Sequence, residues 1–294
     1  MHLATPRPLL ALAFAAGLAL PAFAQDVTLG ELLKASHVHG LAIDSGDPLR
    51  LTVAAHHGFF AVNLLSRRAT DLAGGPTDFM GFSPVPGEPG SFLASGHPPE
   101  GGNLGIVRST DGGATWEALS PGAGGPVDFH QMTVSATDPS LAWGVHHGAI
   151  LQRSRDGGAT WEAVGPVPDG IIDLAASPTD PATLYAATEA GLRVSRDGGA
   201  SWEAAHPAAA PVSLVEAAPD GRILTFVLGE GLVAAAEPDL AWEAQGTWAA
   251  EGVPLQLALD PADPDRMVVA TTDGRLLISS TGGRTWSLVA GPDA

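Results

Sequence analysis

One twelve-residue pattern recurs along this chain and constrains its fold more than any other feature. Three near copies read RSTDGGATWEAL, RSRDGGATWEAV and VSRDGGASWEAA, at 108–119, 153–164 and 194–205. A fourth copy at 279–289 has lost the Asp, and a fifth at 235–245 is strongly eroded. The tryptophans of these copies lie 40 to 45 residues apart, a spacing typical of a four-stranded β-propeller blade. They are Trp116, Trp161, Trp202, Trp242 and Trp286.

Each copy has the composition of a hairpin. Asp-Gly-Gly supplies the positive-φ residues of a tight turn, and the Asp side chain can accept hydrogen bonds from the turn's own amides. The Trp that follows begins the next strand and places a large ring between neighbouring sheets. An acidic residue followed by Pro marks an earlier turn in most units, and a glycine marks the turn after that. We therefore predict an all-β propeller of about six four-stranded blades, at 37–75, 76–122, 125–166, 169–207, 210–248 and 252–289.

The pattern S-x-D-G-G-x-T/S-W stands three times and resembles the BNR or Asp-box repeats. That family includes sialidases, sortilin-type receptors and photosystem-assembly propellers. The resemblance covers about residues 37–289 and implies the propeller fold, but it says little about activity because the box is a folding device. A sialidase is expected to use three arginines, a Tyr nucleophile assisted by Glu, and an Asp acid/base. The single tyrosine, Tyr185, fits sheet packing better than that role, so the pattern needed for sialic acid is missing.

The first residues have the form of a secretory signal peptide. Arg7 supplies a basic start, an apolar run extends from Leu9 to Leu20, and Ala-Phe-Ala precedes an expected cleavage after Ala24. The apolar run is too short to span a membrane. We expect a soluble, monomeric, periplasmic or secreted protein. Its expected organisation is a signal peptide at 1–24, an N-terminal segment at 25–36 and one propeller domain at 37–294.

The charge balance and the absence of cysteine limit the partners. The formal net charge is -18, with a single lysine, so the surface repels phosphate backbones and nucleic acid is not an expected partner. With no cysteine, the chain has no disulfide and no cysteine-based zinc motif.

The histidines are strongly clustered, because eight of the ten lie between residues 37 and 147. Aligning the blades on their acidic-Pro turns gives two columns in the first strands of blades one to three. One column contains His39, Met80 and His130, and the column two residues earlier contains His37, Asp78 and Asp128. Side chains on a strand repeat every two residues, so both columns are expected to point the same way.

The remaining histidines of the group follow second strands. His56 and His57 end that strand in blade one, His97 ends it in blade two, and His146 and His147 end it in blade three. In an antiparallel hairpin, the end of the second strand lies beside the start of the first. The sequence therefore predicts that all eight histidines gather on one rim, with the Asp-Gly-Gly turns on the opposite rim.

A transition-metal site, for copper or zinc, is one interpretation of this rim. His-x-His on a strand can present two rings to one ion, and Met80 would favour copper. Imidazoles could instead bind a small ligand or glycan without metal, or serve packing alone. The candidate metal ligands are His37, His39, His130, His56, His57, His97, His146 and His147. The candidate ligand-binding residues are Asp78, Met80, Asp128 and Glu100.

Two other function classes remain open from the sequence. Asp78, Asp128 and Glu100 could act as acid and base of a glycosyl hydrolase. An assembly or receptor-like scaffold would instead use a broad surface to retain a partner protein. The sequence leaves open whether the protein is an enzyme at all.

Overall fold

Each repeat unit of the chain folds into one antiparallel sheet, as the tryptophan spacing predicts. The structure is a computed structural model that describes residues 26–291. Within that range there are six sheets, and each is built from four consecutive strands, with one extra strand on the first. The first strand of every sheet contacts the first strand of the next, and the sixth contacts the first, so the ring closes. The fold is therefore an all-β propeller of six blades.

The first two blades follow directly on a short N-terminal strand and helix. That strand and helix are β1 (Asp26–Thr28) and α1 (Leu29–Ala35). Blade one contains β2 (Val38–Ile43), β3 (Arg50–Ala55), β4 (Gly58–Asn63) and β5 (Arg68–Asp71). Blade two contains β6 (Asp78–Pro84), β7 (Phe92–His97), β8 (Ile106–Ser109) and β9 (Glu117–Ser120).

The remaining four blades repeat the same order of strands. Blade three contains β10 (Phe129–Val134), β11 (Ala142–His146), β12 (Ile150–Ser154) and β13 (Glu162–Pro166). Blade four contains β14 (Ile171–Ala176), β15 (Leu184–Thr188), β16 (Gly191–Ser195) and β17 (Glu203–Ala204). Blade five contains β18 (Val212–Ala217), β19 (Arg222–Val227), β20 (Gly231–Ala236) and β21 (Glu243–Ala244). Blade six contains β22 (Pro254–Leu259), β23 (Met267–Thr271), β24 (Leu276–Ser279) and β25 (Ser287–Ala290).

The hydrophobic core lies between neighbouring blades rather than at one centre. In the described part of the chain, each of the six blade interfaces has its own cluster of buried apolar residues. The tryptophans of the repeat pack against five of these clusters; Trp116, for example, stands 5.0 Å from Phe59 and 4.7 Å from Phe79 between ring centroids. The repeat therefore stabilises the ring by filling the gaps between sheets.

The N-terminal segment closes the ring on its outside. Strand β1 pairs with β5 as a fifth, outermost strand of blade one. Helix α1 begins with a capping box between Thr28 and Glu31, and its leucines are buried against both blade one and blade six. Packing one helix across the junction of the first and last blades ties together two sheets that no strand joins. Of the residues described, no helix has the length and apolar character needed to cross a membrane.

The Asp-Gly-Gly turns are held by their own side chains. Asp111 Oδ1 accepts a hydrogen bond from the Thr115 amide at 2.9 Å, and its Oδ2 accepts one from the Thr115 hydroxyl at 2.6 Å. The same contacts recur at the two other complete copies. In the third, hydrogen bonds from Ser201 lower the pKa of Asp197 to about 2. These carboxylates stabilise turns, as their position in the repeat predicts.

These turns also define the two rims of the propeller. The Gly112 amide donates to the Gly90 carbonyl at 2.9 Å, which joins the Asp-Gly-Gly turn of blade two to the turn between its first two strands. Equivalent bonds recur in blades three, four and six. The starts of the first strands and the ends of the second strands therefore lie on the opposite rim, where the histidine-bearing segments are.

Candidate metal site

Two buried aspartates organise the histidine-bearing rim. Asp78 is the first residue of β6, and Asp128 directly precedes β10; each is 8 % exposed. Among the residues described, no lysine or arginine lies within ion-pair distance of either carboxylate, and both are surrounded by imidazoles instead. Burying a carboxylate without a partner is costly, and the surrounding histidines are the groups that offset this cost for Asp78 and Asp128.

Asp78 collects imidazoles from two blades. Its Oδ1 lies 3.5 Å from His39 Nε2, and its Oδ2 lies 2.8 Å from His56 Nδ1. Both of those histidines belong to blade one. The third contact, 3.7 Å from Oδ2 to His97 Nδ1, comes from blade two itself.

Asp128 makes a second, similar set of contacts one blade further along. Its Oδ2 lies 2.8 Å from His130 Nε2 and 3.4 Å from His97 Nε2. The two ring nitrogens of His97 therefore face two different carboxylates. The cluster of His39, His56, Asp78, His97, Asp128 and His130 spans blades one to three, and we call it the histidine cluster.

β-bulges turn two of these histidines toward the cluster. The pairing of β2 with β3 shifts between Val38 and Gly40, so His39 is the unpaired residue of a bulge. The pairing of β10 with β11 shifts in the same way around His130. A bulge re-aims the side chain of its extra residue, which strict alternation along the strand does not anticipate.

Two glycines let the innermost strands come close enough for these contacts. A Cβ on Gly40 would lie 2.6 Å from the Phe82 ring, and a Cβ on Gly81 would lie 2.4 Å from the Phe129 carbonyl oxygen. Gly81 also has φ +48°, which favours glycine. Each glycine follows a site-column residue, so blade two packs directly on blade one at His39, and blade three packs directly on blade two.

Several polar atoms of this region are buried without a hydrogen bond. Among the described residues they include His39 Nε2, Asp78 Oδ1, Asp128 Oδ1 and His146 Nδ1. An unsatisfied buried polar atom costs about 1–3 kcal/mol, so four in one region call for an explanation. A bound ligand that these atoms coordinate would remove the cost.

The electrostatics differ among the imidazoles. Burial lowers the pKa of His39 despite the nearby Asp78 carboxylate, which keeps its ring neutral at pH 7. The hydrogen bond to Asp128 raises the pKa of His130. Burial by itself would raise the pKa of Asp128, but the hydrogen bond and charge of His130, with smaller contributions from His97 and His146, bring it below its usual value.

The other candidate residues lie around the cluster. His37, His57 and His147 are exposed, although the His57 ring stands 4.6 Å from that of His56, and the His147 ring 3.9 Å from that of His146. Glu100 is exposed and Met80 is half-buried, and neither has a hydrogen bond or ion pair within the described range.

The cluster contains a compact set of donor atoms. One atom each from His39, His56 and Asp78 lie within 4.8 Å of one another. Imidazole nitrogens and a carboxylate oxygen are the donors that zinc and copper(II) take in proteins. The residues present therefore fit an ion of this kind.

Nothing in the sequence pattern predicted a second acidic pair on the innermost strands. Asp173 on β14 and Glu216 on β18 are surrounded by protein, although each keeps part of its surface open. Burial raises the pKa of Asp173 to about 6. Burial, and then the charge of Asp173, raise that of Glu216 to about 8. Each is the one acidic residue on the innermost strand of its blade, and the packing of the two blades makes them neighbours.

The chain is similar in fold to known propeller proteins, although no family model and no curated sequence matches it. The GH74 enzyme of Niastella koreensis superposes with a TM-score of 0.63 at 16 % identity, over 86 % of this chain and 45 % of that protein. The GH74 xyloglucanase of Xanthomonas campestris gives 0.57 at 18 %, over 90 % and 46 %. YCF48 bound to a D1 peptide gives 0.54 at 18 %, over 91 % and 84 %. The chain spans about half the length of the GH74 enzymes, and these likenesses show a propeller fold.

Proposed function

We propose that the protein is an exported propeller that binds a transition-metal ion, copper(II) or zinc, through His39, His56 and Asp78. The observation that supports this most directly is the 3.5 Å gap between His39 Nε2 and Asp78 Oδ1, both buried and without a hydrogen bond. Two ligands bound about 2.0–2.1 Å from a tetrahedral ion stand roughly 3.3 Å apart. The gap therefore has the length of one edge of a coordination tetrahedron, and the ion would satisfy both atoms.

The neutral state of His39 also favours this function. A metal takes an imidazole only after the ring nitrogen has lost its proton. Burial keeps the pKa of His39 low, so the ring is ready to bind at pH 7. With a cysteine-free site, copper(II) would bind more tightly than zinc in the usual order of affinities.

Glycoside hydrolysis is supported less well by the same geometry. A glycosidase needs its two carboxyl groups on either side of an open cleft, separated by about 5–9.5 Å with room for the sugar. The ring of His97 lies between Asp78 and Asp128 and contacts both. Both carboxylates are also buried. The space that a sugar would need is filled by an imidazole.

Binding of a partner protein remains the second candidate. One of the propellers similar in fold, YCF48, holds a D1 peptide. The predicted signal peptide at 1–24 lies outside the described residues, so export is an expectation from sequence. A metal-binding rim and a protein-binding face are compatible on a single propeller.

Metal titration of the purified chain tests the proposal. The protein is stripped with a chelator and titrated with copper(II) or zinc by calorimetry, with bound metal measured by elemental analysis. The double change His39→Ala and His56→Ala should weaken binding by about 100-fold or more, because it removes two of three donors; losing even an outer-shell partner costs 10–100-fold. The matched control changes the exposed His37 and His57 to Ala and should bind normally. Equal affinity in both double variants, or no binding by the wild type, would overturn the proposal.

A further inference from the structure

The histidine cluster consists of two halves, each built around one buried aspartate. In each half, one buried aspartate oxygen stands 2.8 Å from an imidazole nitrogen: Asp78 with His56, and Asp128 with His130. His97 joins the halves, with Nδ1 3.7 Å from Asp78 and Nε2 3.4 Å from Asp128. A single ion bound by His39, His56 and Asp78 would leave Asp128 and His130 without a metal.

Each half also has its own unsatisfied buried atoms. In the first half they are His39 Nε2 and Asp78 Oδ1, which the proposed ion satisfies. In the second half it is Asp128 Oδ1, and His146 Nδ1, outside the cluster on the strand beside β10, is another. His146 lies on the neighbouring strand, paired with Phe129, the residue that directly follows Asp128. Because Asp128 is only 8 % exposed, water reaches it poorly, and its free oxygen needs a partner from within the site.

We propose that a second transition-metal ion binds Asp128, His130 and His146, and that the ring of His97 bridges the two ions. This inference rests on the function proposed above. His97 Nδ1 would bind the first ion and Nε2 the second. The ring gives up its remaining N–H proton to solvent as the second bond forms, so the bridge is an imidazolate and no oxidant or reductant is needed.

The two ions should bind in a fixed order. Among the described residues, only His39, His56 and Asp78 bring three donor atoms within 4.8 Å of one another. The second set is more open, and the hydrogen bond between His130 and Asp128 must break before both can bind metal. The His130 side chain is 48 % exposed. The first ion should therefore bind more tightly than the second.

Copper(II) is the probe that reports both the number of ions and the bridge. The chelator-stripped full chain is titrated by calorimetry, and samples at one and two equivalents are examined by electron paramagnetic resonance. We expect two equivalents, the second at least tenfold weaker. Copper(II) spins joined through an imidazolate couple antiferromagnetically, so the signal should fall on going from one to two equivalents.

Variants separate the second ion from the first. Asp128→Asn combined with His146→Gln should leave one equivalent, with the uncoupled signal of a single copper. His97→Gln should weaken both ions, because each loses one donor, and at saturating copper(II) it should show two uncoupled spins. The matched control is His147→Gln, which changes the exposed neighbour of His146 and should behave as wild type.

The outcomes distinguish this inference from the function it rests on. Saturation at one equivalent in the wild type, a second equivalent that survives Asp128→Asn with His146→Gln, or two uncoupled spins in the wild type would overturn the bridged pair alone. Absence of any bound copper would overturn the proposed function as well.

Discussion

The innermost strands of blades two and three and those of blades four and five all place acidic residues inside the ring, with opposite electrostatic results. Asp128 is surrounded by imidazoles, and its pKa lies below the usual value. Asp173 and Glu216 have no cation within ion-pair distance among the described residues, and their pKa values rise to about 6 and about 8. We call blades one to three the histidine half of the ring and blades four and five the acidic half. The same architecture stabilises a carboxylate in the histidine half and destabilises one in the acidic half, and the neighbouring side chains decide which.

This difference has a functional meaning. In the histidine half, the Asp128 carboxylate is charged at pH 7, and the same cluster contains the neutral imidazole of His39. In the acidic half, Glu216 holds a proton at pH 7, so the pair avoids the full cost of two buried charges. The metal binding proposed for the histidine half needs a charged carboxylate, and the acidic half instead keeps one of its carboxyls protonated.

The largest expected change in stability comes from removing the charge of Glu216, in the acidic half. A raised carboxyl pKa means that the folded chain holds the proton more tightly than the unfolded chain. The resulting penalty is absent below about pH 4.5, grows as the pH rises to about 8, and is constant above that. Glu216→Gln should therefore raise the free energy of unfolding at pH 9 by about 2–4 kcal/mol, less than the full shift implies because Glu216 is partly open to water.

Chemical denaturation of the metal-free protein between pH 5 and pH 9 measures this. Wild-type stability should decline across that range more steeply than that of Glu216→Gln. The exposed Glu243 on β21, changed to Gln, is the control and should leave the wild-type profile unaltered. Parallel profiles for the wild type and Glu216→Gln would show that Glu216 is not a buried acid.

The next effect tests the close packing of the histidine half. Gly81→Ala should lower the free energy of unfolding by about 3 kcal/mol, since it adds a Cβ 2.4 Å from a backbone oxygen at a positive φ. Gly148→Ala, also at a positive φ but with nothing within 4 Å, should cost only about 1 kcal/mol. Thermal and denaturant unfolding measure both variants. If Gly81→Ala and Gly148→Ala lose the same stability, the strands of blades two and three are not packed so tightly.

The smallest effect has the opposite sign to that at Glu216. A lowered carboxyl pKa adds stability that is present above the ordinary value of 3.8, and so at pH 7. Asp128→Asn should therefore cost the metal-free protein about 1.5–3 kcal/mol, the usual contribution of a hydrogen bond to a charged group. A double-mutant cycle with His130→Ala would assign the loss to that pair. If Asp128→Asn instead raises the free energy of unfolding, Asp128 is a destabilising buried acid, as Glu216 is.

Much of the fold follows from the repeat. The spacing of Trp116, Trp161 and Trp202 predicts the blade length, and the blade boundaries in the structure agree with that prediction. The sequence left the role of residues 26–36 open, because a three-residue strand and a seven-residue helix have no repeat to identify them. Their place against blades one and six depends on contacts between opposite ends of the chain.

The candidate site was predictable only as a region. Hairpin geometry brings the start of the first strand and the end of the second to one rim, so the sequence predicts one rim for the histidines. Which of them converge was decided by the tertiary structure, because bulges at His39 and His130 re-aim those rings, and close contacts at Gly40 and Gly81 bring separate blades together. Strand alternation and repeat spacing are properties of a local sequence. The contact of an imidazole with a carboxylate from the next blade depends on how two sheets pack, and the ring as a whole fixes that packing.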